Sequence, residues 1–123
     1  MNHHDIFMKC ANPGKCEVCG VEAPVVVVSS RLGSCSCAYC EDCYNAGLEP
    51  YPMIVAAVWT CGWEGMAEWA KAPIRETLTK LGKTEEELLA DVKAEEDSFI
   101  AAMQNYEEYC HEQDIQEELQ WKE

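Results

Sequence analysis

Positive charge is what this chain has least of. Its 123 residues hold nine Lys and Arg against 23 Asp and Glu, a formal net charge of −14. The imbalance is concentrated at one end. From Thr84 to Glu123 there are fourteen acids and only Lys93 and Lys122, whereas residues 1–83 hold nine acids and seven bases. Direct binding to a phosphate backbone relies on Lys and Arg displacing counterions, so this composition argues against it. A protein partner with a basic surface is the complement it permits.

Other absences narrow the class further. The longest apolar run, Met53 to Trp59, is far below the roughly 17–25 residues of a membrane span. The start, Met-Asn-His-His-Asp, is polar and has no secretory apolar region, so the expected location is cytoplasmic. No Gly-rich phosphate loop, His-Glu-x-x-His or Gly-x-Ser-x-Gly occurs. The zinc-deaminase pattern is also missing. His111 beside Cys110 has no partner acid or surrounding motif to make it a nucleophile pair. The expectation is a protein without enzymatic activity.

Cysteine, by contrast, is plentiful and patterned. Cys16-Glu17-Val18-Cys19-Gly20 and Cys40-Glu41-Asp42-Cys43 are two Cys-x-x-Cys pairs separated by twenty residues. An odd total of nine cysteines and an intracellular setting favour metal over a disulfide framework. Cys16, Cys19, Cys40 and Cys43 are therefore expected to hold one structural zinc ion, with iron the minor alternative. Cys10, Cys35 and Cys37 are open to two readings. Cys35-Ser36-Cys37 lies near enough to Cys40 for ligand exchange or a second metal, or these thiols are small apolar core groups. Cys61 and Cys110 fall in helical segments and are expected in the core.

The order of elements predicts an α+β fold. Asn12-Pro13-Gly14 reads as a turn before the first ligand pair. Val25 to Ser29 is a β-branched strand, Arg31-Leu32-Gly33-Ser34 a turn, and Cys35 to Tyr39 the return strand. A short helix then carries the second ligand pair and ends at Gly47. Four segments are expected: an N-terminal stretch (1–15), a zinc module (16–50), a helical core (51–83) and a long acidic helix (84–123). His3 and His4 in the first are open to weak metal binding or, as expected here, to fraying, with Ile6, Phe7 and Met8 tacking the end to the core. In the third, Met53, Val55, Val58, Trp59, Met66, Trp69 and Ala70 are the candidate core. Pro73 is placed at the start of a further helix, with Ile74, Leu78 and Leu81 on one face.

Thr84 opens the last helix with a capping box that Glu87 completes, and no Gly or Pro follows it. Leu89, Val92, Phe99, Met103, Tyr106 and Cys110 recur at three- and four-residue steps, with Glu96 breaking the seam. This face either packs on the core or pairs as a homodimer. Glu107, Glu108, Glu112, Glu117 and Glu118 are the candidate contacts to a basic partner, through carboxylates that imitate a nucleic-acid backbone.

The Cys-x-x-Cys-Gly of Cys16–Gly20, together with the Ala-Tyr-Cys-x-x-Cys and Ala-Gly-Leu-Glu-Pro-Tyr that lie within Ala38–Tyr51, resembles small treble-clef zinc proteins of phages and mobile elements. That resemblance implies knuckle, hairpin and short helix around one zinc. It also implies an inhibitor or regulator of a host nucleic-acid machine, such as a CRISPR or restriction effector, acting in the host cytoplasm. A nucleic-acid-binding zinc finger or transcriptional regulator is the alternative, and an iron or redox protein a third.

Overall fold

A computed structural model describes residues 2–121, with side chains given to Glu118; Met1, Lys122 and Glu123, at the ends of the expected first and last segments, lie outside the described residues. Among the described residues the architecture is α+β: a three-stranded antiparallel sheet and five helices. In chain order these are α1 (His3–Cys10), β1 (Asn12–Lys15), β2 (Glu22–Ser29), β3 (Ser36–Cys40), α2 (Glu41–Ala46), α3 (Tyr51–Cys61), α4 (Glu68–Leu81) and α5 (Glu85–Trp121).

The sheet runs β1-β2-β3, with β2 in the centre. Val25 faces Cys40 and Ser29 faces Ser36, so the return strand carries Cys40 back alongside the first half of β2. Asn12-Pro13-Gly14 is not a turn: it forms β1, paired from Asn12 with Val25 to Lys15 with Glu22. An edge strand tolerates Pro13, whose missing N–H faces away from the ladder. Gly14 is needed there, because a Cβ would lie 2.8 Å from a Val25 methyl. Val25 and Val26 are both buried although neighbouring side chains in a strand point to opposite faces, so the sheet is covered on both sides at this point.

The N-terminus is ordered where fraying is expected. Asn2 caps α1 by accepting from the Asp5 amide, and His4 Nδ1 lies 2.8 Å from Glu41. Of Ile6, Phe7 and Met8, only Phe7 is buried. Its ring lies 6.1 Å from that of Tyr44.

The apolar interior has two parts. One surrounds the sheet and the cysteine pairs, with Phe7, Val18, Val25, Val26, Tyr39 and Leu48. The other lies among the last three helices, with Ile54, Val58, Trp63, Ile74, Leu78 and Leu88. Trp69, expected in this core, is 82% exposed, whereas Ile54 and Ala57 are buried in its place. Pro73 does not open α4; it sits inside the helix, which starts at Glu68. Pro73 lacks an amide, so the Trp69 carbonyl, four residues earlier, goes without its helical donor at the solvent-facing turn. Cys61 is exposed and Cys110 half-buried, so neither is a core thiol.

Thr84 Oγ1 accepts from the Glu87 amide at 3.1 Å, as half of the expected capping box. At 37 residues, α5 is about 55 Å long. Leu88 rather than Leu89 is the core residue, at 0% against 41% exposure. Four-residue steps back from Val92 reach Leu88, and that row is the one that meets α3. The Tyr51 hydroxyl donates to Asp91, and the Trp59 ring meets that of Phe99 edge-on at 5.0 Å. Both contacts join residues forty apart, so α3 and α5 run parallel. As α3 ends at Cys61, α5 loses its support near residue 101. The remainder projects. No described helix is long and apolar enough to cross a membrane.

Candidate metal centre

Each ligand pair is held by a different piece of local geometry. In the first, the Cys16 amide donates to Val21 O and the Gly20 amide to Cys16 O, each at 2.9 Å, closing a tight turn. Gly20 completes it at φ 79°, a conformation that other residues adopt only at a cost. Glu17 fastens this knuckle to the sheet: its amide donates to Ala38 O, and its carboxylate accepts from the Ala38 amide. In the second pair, Cys40 is the last residue of β3 and the cap of α2, and Cys43 sits in the first helical turn. Gly47, left-handed at φ 71°, ends that helix by donating to the carbonyls of Cys43 and Tyr44.

These pieces bring the Sγ atoms of Cys16, Cys19, Cys40 and Cys43 within 4.8 Å of one another. Cys19 Sγ and Cys40 Sγ are 3.9 Å apart. A tetrahedral ion with sulfur bonds of about 2.3 Å would set its thiolates about 3.8 Å apart, so the donor set fits one. Cys16, Cys40 and Cys43 are buried and Cys19 is half-buried. Among the described residues no other group of three or more His, Cys, Asp or Glu side chains converges in this way. Cys37 is a buried core thiol, and Cys10 and Cys35 are exposed, so none of the three joins the four.

The thiols respond differently to this crowding. Burial raises Cys16, but amide donors from Cys19, Cys40 and Val18 outweigh it and bring the thiol down to about 7. Burial pushes Cys40 and Cys43 up, helped by the neighbouring thiol groups. A divalent cation would supply the positive charge that lets all four ionise together. An ion held by all four sulfurs would have no open position for a reactive water, and would then serve structure rather than hydrolytic chemistry.

Lys80 adds one more contact that reaches the centre. Its Nζ donates to Cys43 Sγ at 3.3 Å, from the last turn of α4. The bond to Cys43 raises the Lys80 ammonium above its ordinary range. Nothing in the sequence marks Lys80, which lies 37 residues from Cys43.

Glu49 is a second residue the sequence pattern does not single out. It is 4% exposed, and its Oε2 accepts from Ser30 Oγ and the Tyr39 hydroxyl, both at 2.7 Å. The Arg31 amide donates to Oε1 at 3.3 Å, and Glu49's own amide donates to Thr77 Oγ1. The residue thus ties the hairpin, β3 and α4 together between the two parts of the interior. Every one of its contacts is internal.

The expected partner-binding residues Glu107, Glu108, Glu112, Glu117 and Glu118 are all exposed on the projecting part of α5. They do not form one cluster. Glu108 and Glu112 share a face four residues apart, while Glu117 falls on the row of Phe99, Tyr106 and Cys110. No protein-family model matches the chain, and neither a curated protein nor a solved structure matches it.

Proposed function

We propose that this chain is a non-enzymatic, zinc-stabilised protein that acts by binding another protein through the acidic arm of α5. In this reading Cys16, Cys19, Cys40 and Cys43 hold one zinc in a treble-clef arrangement of knuckle, hairpin and α2. The site is a scaffold that fixes where the helices emerge. The observation that carries the reading is the projecting half of α5. Between residues 102 and 118 it holds six Asp and Glu and no Lys or Arg, and every side chain there except the half-buried Cys110 is exposed. A single helix that leaves the core with so much charge of one sign is suited to a basic surface.

The resemblance to small zinc proteins of phages and mobile elements gives that surface a class. It would belong to a host machine that handles DNA or RNA, such as a CRISPR or restriction effector, and the arm would stand in for the nucleic acid there. The chain would then work in the host cytoplasm. Such a mimic needs the carboxylates and no affinity of its own for duplexes.

A pull-down from bacterial lysate over a range of salt tests this. Partners retained at low salt should be lost at high salt and lost when Glu107, Glu108, Glu112, Glu117 and Glu118 are all replaced by Lys. A partner set unchanged by that reversal overturns the reading. Duplex DNA binding by the purified chain at moderate salt would favour a nucleic-acid-binding finger instead.

A further inference from the structure

The projecting arm is not only acidic. The row that packs on α3 through Leu88, Val92 and Phe99 continues, at the same helical steps, as Met103, Tyr106 and Cys110. Leu88 is fully buried, Val92 half-buried, and Phe99 rests its ring edge-on against Trp59. Past the end of α3 the row is bare. Met103 is 43% and Tyr106 61% exposed, with Ile100 and Tyr109 also open on either side. An acid-only surface has no use for this much apolar area on a soluble face.

We propose that the Phe99–Cys110 face of α5 docks a helix of a partner protein, one that is apolar along its contact row and carries Lys or Arg on its flanks. The proposal rests on the reading of the arm as the partner-binding element and states how that element binds. The occupant is helical because the face continues an existing helix–helix seam. The partner helix takes up the line of α3 where Cys61 ends it, and knobs spaced three and four apart fit the grooves of another helix. It is basic because the face is bordered by Glu95, Glu96 and Glu107, with no Lys or Arg from residue 94 to 118. A second copy of this chain is a poor occupant for the same reason. Glu96 and Glu117 lie in the seam itself, and a parallel pair of arms would set each against its twin.

The test uses the 123-residue chain, loaded with zinc, and three labelled probes. One is a synthetic amphipathic helix with a leucine row and lysine flanks, one the same helix with glutamate flanks, and one poly-lysine, which is unstructured at neutral pH. Two variants are compared with the parent by fluorescence anisotropy. Met103→Ser with Tyr106→Ser removes apolar area and keeps every charge; the five Glu→Lys changes at 107, 108, 112, 117 and 118 do the reverse. Both sets lie at exposed positions, and circular dichroism checks that each variant is folded.

The lysine-flanked helix should bind, the glutamate-flanked helix should not, and the serine pair should weaken binding about tenfold or more. Binding of poly-lysine as tight as that of the basic helix, unaffected by the serine pair but lost on charge reversal, overturns the docking face and leaves the acidic-arm reading standing. Equal binding of both amphipathic helices also overturns it, since charge then plays no part. A dimer at low micromolar concentration in sedimentation, abolished by the serine pair, assigns the face to a second copy and overturns it as well. Failure of every basic probe to bind counts against both readings.

Discussion

Lys80 Nζ and Cys43 Sγ lie 3.3 Å apart, and through this contact α4 reaches into the thiol cluster. A divalent ion with four thiolates carries a net charge of about −2, and a donor on one sulfur spreads part of that charge into the protein. The bond gives the helical part of the chain a direct contact with the four-cysteine cluster, beyond the apolar contacts of Met53 and Leu32 at the junction.

Replacing Lys80 by Met keeps most of the side-chain volume and removes the donor. Metal affinity, measured by competition with a chromophoric chelator, should fall by about tenfold, the lower end of the range for such supporting groups because the ammonium is open to water. An affinity within twofold of the parent would mean that the contact is incidental.

Metal removal should act unequally along the chain. A strong chelator, or Cys40→Ser, should unfold the sheet and α2, because losing the ion removes the bonds that tie the two cysteine pairs together and leaves buried thiols that cannot ionise together. Far-ultraviolet circular dichroism should keep part of the helical signal from α5. Complete loss of helicity would show that α5 depends on the metal module throughout its length.

Tyr39→Phe removes one of the two hydroxyl donors to Glu49 Oε2. Burial and the hydrogen bond to Glu49 push the Tyr39 phenol up, so in the folded chain it stays protonated and donating. The carboxylate would keep Ser30 and the Arg31 amide, and stability in urea should fall by about 1.5–3 kcal/mol. A midpoint equal to the parent's would remove Glu49 from its place as the tie between hairpin and helices.

Leu88→Ala and Leu89→Ala are neighbouring changes with different expected costs. Leu88 fills the core among Ile54, Val58 and Ile74, so its truncation should cost about 2–5 kcal/mol. Leu89 faces largely outward and should cost about 1 kcal/mol or less. Equal costs would mean that α5 is rotated from the position described.

Hydrogen exchange should divide α5 near residue 101. Residues 88–99 are held by α3, whereas the arm has only its own ladder and side-chain pairs, and an isolated helix of that length is marginal in water. Amides of residues 102–118 should exchange much faster than those of residues 90–98. Uniform protection over both stretches in the isolated chain would show that the arm is covered.

His4 gives a pH-dependent contact. The hydrogen bond and charge of Glu41 raise the imidazole above its ordinary 6.5. The folded state therefore binds the proton more tightly, so the tether of α1 to α2 is present below pH 6.5 and is lost as pH rises through the raised value. The nitrogen shifts of His4 should titrate above those of the same residue in a peptide, and Glu41→Gln should remove the difference.

The residue order alone determined the local features, because each depends on neighbours a few positions away. Two Cys-x-x-Cys pairs with a strand pair between them place four thiols on a knuckle and a helix start, and the four do converge. Thr84 with no later Gly or Pro determines a long capped helix. Periodicity showed that α5 has an apolar row. It left the row one residue off at its start, at Leu89, because Leu88 and Leu89 are equally apolar and only contact with α3 chooses between them. Asn12-Pro13-Gly14 misleads for a related reason: its residues favour turns, and pairing with β2 overrides that preference. Trp69 carries the side chain of a core residue and lies outside because α4 buries Ile74, Thr77 and Leu78 instead.

What only the tertiary structure decided are the contacts between distant parts of the chain. Lys80 meets Cys43 and Glu49 gathers Ser30, Tyr39 and Thr77 because the chain returns on itself, which no local pattern encodes. The parallel register of α3 and α5 is of the same kind. It sets the point, near residue 101, where a row of apolar side chains leaves the core and is offered to another molecule.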